Sequence, residues 1–233
     1  VFCARHTYLK TQLAIKVILP DLVGNDPQLV TRFRQEALAA AAIRHHNVVQ
    51  VTDYGVVNDK MPFLVMEYVE GESLHDLLAR EKHLAPDKAV ELMSAICAGV
   101  GAAHKQGIVH RDLKPLNVMI LKGAQSPAEG IKILDFGLAK LSEFDLNTLR
   151  NFNQTAKGVI IGTPAYMSPE QVADDKVDQR TDLWSVGVVL YELLTGVNPF
   201  KKANRQATFQ AILSSEPPLA SSINSEISPE LDQ

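Results

Sequence analysis

The sequence predicts an α+β fold in two lobes: a small antiparallel sheet carrying one helix, then a larger, mainly helical part. Three observations carry this. Short runs rich in β-branched and aromatic residues fall in the first third of the chain, around 13–19, 48–51 and 63–66. Apolar residues at helical spacing dominate afterwards, over 89–103 and again over 183–194. Between the two regimes Glu67-Tyr68-Val69-Glu70-Gly71 is a polar exit with a glycine, the composition of a hinge. With 233 residues, 46% of them hydrophobic and 21% charged, the chain can bury a sizeable core, so the disordered and fibrous classes are excluded.

A net charge of -4 carries no basic excess, which argues against a nucleic-acid partner and against general attraction to anionic membranes. Cys3 and Cys97 lie far apart without metal-type spacing and suit a reducing compartment, so the expected location is cytoplasmic. No apolar run reaches the roughly 18–20 residues of a membrane span, and Val1-Phe2-Cys3-Ala4-Arg5 does not read as a signal peptide. The first residue is not Met, and the stretch reads as a piece of something longer.

Taken in order, Leu13 to Leu19 reads as a strand in which Lys16 is the one charge. Asp26-Pro27 supplies a helix start, and Leu29, Val30, Phe33, Ala37, Ala40 and Ala41 form one stripe of a helix running to about Arg44. Glu36, one turn from Phe33 and from Ala40, borders that buried face. Runs around Val48–Val51 and Phe63–Met66 read as a hairpin about a turn-rich region from Gly55 to Pro62. From Pro86, the residues Ala89, Leu92, Met93, Ile96, Val100 and Ala103 recur at helical spacing, and Gly107 stands where a left-handed cap is expected. Val118–Leu121 and Ile131–Leu134 are strands, and the segment from Asp135 to Glu170 is too long for an idle connection. Thr181-Asp182 opens a helix to Gly196; Phe209, Ile212 and Leu213 suggest one more, and the Ser/Pro-rich tail from Ser214 has little to pack.

His110-Arg111-Asp112-Leu113-Lys114-Pro115-Leu116-Asn117 gathers a carboxylate, two cations and an amide between two apolar segments. An Asp can accept a hydroxyl proton, a Lys can neutralise phosphate charge, and an Asn carbonyl suits a hard divalent cation. Those are the parts of a phosphoryl-transfer site.

This stretch resembles the catalytic loop of protein kinases, matching His-Arg-Asp-Leu-(any three)-Asn at every specified position, and Lys114-Pro115 is similar to the serine/threonine branch. Lys16, Glu36, Asp112, Asn117 and Asp135 follow in the order of that family's signature, with Ser168-Pro169-Glu170 in place of Ala-Pro-Glu, and the resemblance spans nearly the whole chain. It implies a bilobal protein-kinase-like fold with an N-lobe over 1–66, a hinge over 67–72 and a C-lobe over 73–233 that holds an activation segment at 135–170. It also implies transfer of the ATP γ-phosphoryl group to Ser or Thr hydroxyls of proteins, with ATP, Mg2+ and protein substrates as ligands. It leaves room for a homodimer in activation and for a membrane or sensor region outside this stretch.

Carried over residue by residue, the resemblance makes Lys16 the holder of the α- and β-phosphates and Glu36 its ion-pair partner. Asp135 and Asn117 become Mg2+ ligands, Asp112 the catalytic base, and Lys114 the cation on the transferred group. Met66 takes the gatekeeper position, the backbone of Glu67 and Val69 meets the adenine edge, and Ala14 and Met119 sandwich the ring. Asp182 supports the catalytic loop. Arg111 reads a phosphorylated activation-loop residue, for which the candidates are Ser142, Thr148, Thr155, Thr163 and Ser168; Thr155 lies at the family's usual distance, while Thr163 contacts the base and Lys114.

The glycine-rich loop is absent, since Val1 to Ala4 resembles the strand that follows it, and Ser228 to Leu231 resembles the start of a late helix, with the last helices missing. Glu170 is then expected to lack its usual arginine. Ser-Pro-Glu-Gln at 168–171 is similar to bacterial kinases of eukaryotic type. Two other classes compete. A non-catalytic ATP-binding scaffold usually shows a lost Lys, Asp or Asn, and none is lost here; a small-molecule phosphotransferase generally lacks the 162–170 docking segment, which is present.

Overall fold

The computed structural model describes residues 1–18, 29–58, 61–124, 126, 129–136 and 164–232. Four strands form the first sheet: β1 (Phe2–Arg5), β2 (Gln12–Val17), β3 (Val51–Val57) and β4 (Met61–Glu67), ordered β1-β2-β4-β3 with every neighbour antiparallel. One helix, α1 (Leu29–Ala42), packs on this sheet and drives the fully buried Phe33 among Ala37, Ala40, Leu64 and Met66. Burying a ring of that size contributes roughly 2–3 kcal/mol. The helix start expected at Asp26-Pro27 lies outside the described residues.

The expected hairpin turn is displaced. β3 runs through Gly55, which faces the ring of Phe63 so closely that a Cβ there would clash with it, so the glycine serves close packing and not a turn. Val48 and Val49 leave the sheet as well. They are stitched to the second sheet by a parallel bridge to Ile133 and by the bonds Val49 N–H to Ile133 O (2.9 Å) and Ile133 N–H to Asn47 O (2.8 Å).

That second sheet, β5 (Gly71–Ser73), β6 (Val118–Leu121) and β7 (Ile131–Ile133), is antiparallel in the order β5-β6-β7. β5 and the helix after it, α2 (Leu74–Glu81), escaped the periodicity reading because each is short; Ser73 caps α2 by accepting from Asp76 N–H at 3.1 Å. Then come α3 (Pro86–His104), α4 (Pro169–Ala173), α5 (Arg180–Thr195) and α6 (Arg205–Ser214). Beyond α3, Gly107 adopts φ 72° and Ile108 N–H returns to Ala103 O at 3.1 Å, the expected left-handed closure.

The tail after Ser214 packs more than its composition suggests. Ala220 and Ile227 join the large core of α2, α3 and α5, and Asn224 donates its amide to Leu194 O at 2.8 Å. The architecture is the bilobal α+β fold expected from the sequence, and the chain segments 68–70 and 43–50 lie at the crossing between its two sheets.

Candidate active site

α3 delivers the chain to a loop whose backbone is held from below by one carboxylate. Asp182, in the first turn of α5 and fully buried, accepts from His110 N–H (2.8 Å), Arg111 N–H (2.8 Å) and the His104 ring (Nε2, 2.7 Å). Three donors offset the cost of burying that charge. The structure thus brings Asp182, a candidate from the sequence, under the loop. His110, also fully buried, accepts from Asp112 N–H at Nδ1 (3.2 Å), which leaves Nε2–H to donate to Leu134 O (2.8 Å). Its ring meets Phe136 edge-on at 4.6 Å, so the loop and the strand end after β7 are one packed unit.

Above that frame, Lys114 Nζ donates to both oxygens of Asp112, at 2.8 and 2.6 Å, and Asn117 Nδ2 donates to Asp112 O (2.8 Å) and Oδ2 (3.1 Å). The Asp112 side chain is still 44% exposed, against 13% for Lys114, so the carboxylate is the reachable member of the pair. Leu134 N–H donates to Asn117 O at 2.8 Å and sets Asp135 beside the loop. Asp135 takes φ 62° and Arg111 φ 67°, left-handed conformations that a non-glycine residue holds only where its surroundings fix it.

Lys16 Nζ lies 2.9 Å from Asp135 Oδ1, with the two side chains 27% and 30% exposed. Among the described residues Lys16 pairs with Asp135 and not with the Glu36 expected from the sequence: the strand lysine meets the carboxylate after β7. Glu36 is buried on the inner face of α1 beside Phe33, Ala37 and Ala40. Ala14 pairs with Met66 across β2 and β4, and both pack with Val69 in the small-lobe core. Glu67 N–H is taken by Gln50 O at 3.0 Å, and among the described residues Val69 N–H has no partner. Met119, half-buried on β6, stands opposite Lys132 of β7.

Glu170, expected to lack its usual arginine, accepts from the Thr181 hydroxyl at 2.5 Å. Burial pushes its carboxyl up, but bonds from Thr181, its own backbone and Ser168 outweigh this and hold it below the usual carboxylate value. Ser142, Thr148, Thr155 and Thr163 lie outside the described residues, whereas Ser168 is fully buried and caps α4.

Three participants were missed from the sequence. Lys132 Nζ reaches Glu67 Oε1 at 2.6 Å, and the same oxygen accepts Gln50 N–H at 2.7 Å, tying β7 to the end of β4. Its signal was the one used for Lys16, a lone lysine in an apolar strand. His104 and Gln171, the latter donating to Arg111 O at 2.7 Å, carry no local signal, because their partners stand 78 and 60 residues away.

Comparison with known proteins agrees with this geometry. Residues 1–233 match the family model described as the protein kinase domain. Serine/threonine-protein kinase pkn3 of Myxococcus xanthus is 39% identical over 218 residues, which are 94% of this chain and 39% of that protein. Serine/threonine-protein kinase PknB of Mycolicibacterium smegmatis is 38% identical across 100% of this chain and 36% of its own length. PknB of Mycobacterium tuberculosis is 41% identical over 203 residues, or 86% and 31% of the two chains. The chain thus spans well under half the length of these relatives. Matched along its entire length, it belongs to the protein kinase domain family.

Proposed function

We propose that the chain is the catalytic part of a serine/threonine protein kinase that transfers the γ-phosphoryl group of ATP to Ser or Thr hydroxyls of proteins. In this reading residues 1–66 and 73–233 are the lobes, 67–72 the hinge and 135–170 the activation segment. The observation that carries it is the grouping at Asp112: an exposed carboxylate bonded by Lys114 and Asn117, with Asn117 in turn bonded to the residue before Asp135.

Asp112 accepts the hydrogen bond of the substrate hydroxyl, orients it for attack and takes its proton late in a loose transition state. Lys114, already on that carboxylate, neutralises charge on the transferred group, and Lys16 does so at the remaining phosphates. Ala14, Met66 and Met119 supply apolar surface for the adenine, and Val69 N–H its hydrogen bond.

The donor set suits Mg2+. Asn117 spends its amide hydrogens on Asp112 and keeps its oxygen, and Asp135 meets Lys16 through Oδ1. Such an ion would be held through one or two protein oxygens while keeping several of its waters. When bound, Mg2+ would screen the phosphate charge.

The resemblance further supports autophosphorylation at Thr155, read by Arg111; phosphosite mapping of active protein tests it, and an unmodified Thr155 counts against it. The main reading is tested with full-length protein, labelled ATP, Mg2+ and a general protein substrate. Phosphoserine or phosphothreonine should form with the wild type and not with Asp112→Asn; equal transfer by both would overturn the reading.

A further inference from the structure

The peptide bond joining Arg111 to Asp112 is fixed at both ends. Its N–H, on Asp112, donates to His110 Nδ1 at 3.2 Å, and its C=O, on Arg111, accepts from Gln171 Nε2 at 2.7 Å. Arg111 N–H is held by Asp182 at 2.8 Å, and the residue has φ 67°, a left-handed conformation that needs such restraints. The plane of that peptide sets the direction in which Asp112 projects its carboxylate. Two of the three holds come from buried groups of the loop and α5; the third comes from the start of α4.

Gln171 performs a second task there. Its Oε1 accepts Ser168 N–H at 3.0 Å while Ser168 Oγ accepts Gln171 N–H at 3.3 Å, a capping box that closes α4. The fully buried Ser168 hydroxyl also meets Thr181 Oγ1 at 3.2 Å, so the box is anchored to α5 beside Asp182. Glu would serve the box as well as Gln does. Only the amide offers an acceptor to Ser168 and a donor to Arg111 at once; a carboxylate would set a charged oxygen against the Arg111 carbonyl.

We infer that Gln171 is a positioning residue for Asp112, orienting the Arg111–Asp112 peptide from α4 and thereby joining the end of the activation segment to the base. The inference rests on the reading of Asp112 as the base given above. A role in capping alone predicts that Gln171→Glu behaves like the wild type and that only Gln171→Ala suffers.

Both variants and Asp112→Asn are made in the full-length protein, and kcat, KM for ATP and melting temperature are measured. Gln171→Glu should melt with the wild type and keep its KM for ATP, while kcat falls by about 10-fold to 10²-fold, the loss that follows misplacement of a reacting group. Gln171→Ala should lose kcat to a similar extent and melt lower. Wild-type kcat in Gln171→Glu, with Asp112→Asn inactive, overturns this inference alone; turnover undiminished in Asp112→Asn overturns the reading on which it stands.

Discussion

Around Asp112 the site is tied down from several directions. Lys114 and Asn117 hold the side chain, His110 and Gln171 the peptide before it, and Asp182 the two residues before that. Across the cleft Lys16 has, among the described residues, one ion pair, to Asp135, and both side chains remain more than a quarter exposed. On the proposed reading the difference follows from the work each half does. A base must be oriented before the substrate arrives, whereas a lysine proposed to bind phosphate must be able to exchange one anion for another. Rigidity is thus concentrated on the large-lobe side, in bonds that also hold the fold together.

If this contrast is right, substitutions on the two sides should separate activity from stability in different ways. The largest effect is expected for Asp112→Asn, which keeps the bulk and loses the proton acceptor: turnover should fall by about 10²–10⁴-fold with little change in melting temperature, as steady-state kinetics and calorimetry would reveal. Lys16→Met comes next. Turnover should drop by roughly 10²–10³-fold while the denaturation midpoint stays put, since a partly exposed pair is lost and the stem remains. A large stability loss there would break the comparison.

Asp182→Ala tests the opposite side. It strands three donors beneath the loop and should cost about 3 kcal/mol in urea denaturation together with most of the activity. Lys132→Met should cost about 1–2 kcal/mol and raise KM for ATP with kcat nearly unchanged, because it frees Glu67 at the end of β4 without touching the loop. The smallest effect concerns Glu170. Its folded value lies below the ordinary 4.5, so its stabilisation is complete above that pH and is lost as pH falls through the lowered value. Glu170→Gln should therefore flatten the acid limb of a melting-temperature profile, and an unchanged limb would remove the Thr181 bond as its cause.

Lys16 and Lys132 show where a sequence stops informing. Each is the one charge in a short apolar strand, and nothing local tells which carboxylate each will meet. Tertiary structure decides: Asp135 for Lys16, Glu67 for Lys132. The same limit explains the Lys16–Glu36 pair. Helix periodicity correctly puts Glu36 next to the buried stripe, but the choice between two carboxylates depends on how α1 and β7 approach β2.

What the sequence determined by itself was whatever local chemistry dictates. Strand and helix periods marked β2, α1, α3 and α5, the eight residues from His110 to Asn117 announced their chemistry, and Gly107 its left-handed turn. Tertiary structure alone decided that Gly55 lies inside a strand, that Val48 and Val49 bond to Ile133 of the second sheet, that Thr181 answers Glu170, and that Gln171 reaches the peptide before Asp112. Each of these depends on a partner distant in the chain or on the space beside a backbone, and a one-dimensional pattern of residue types contains neither.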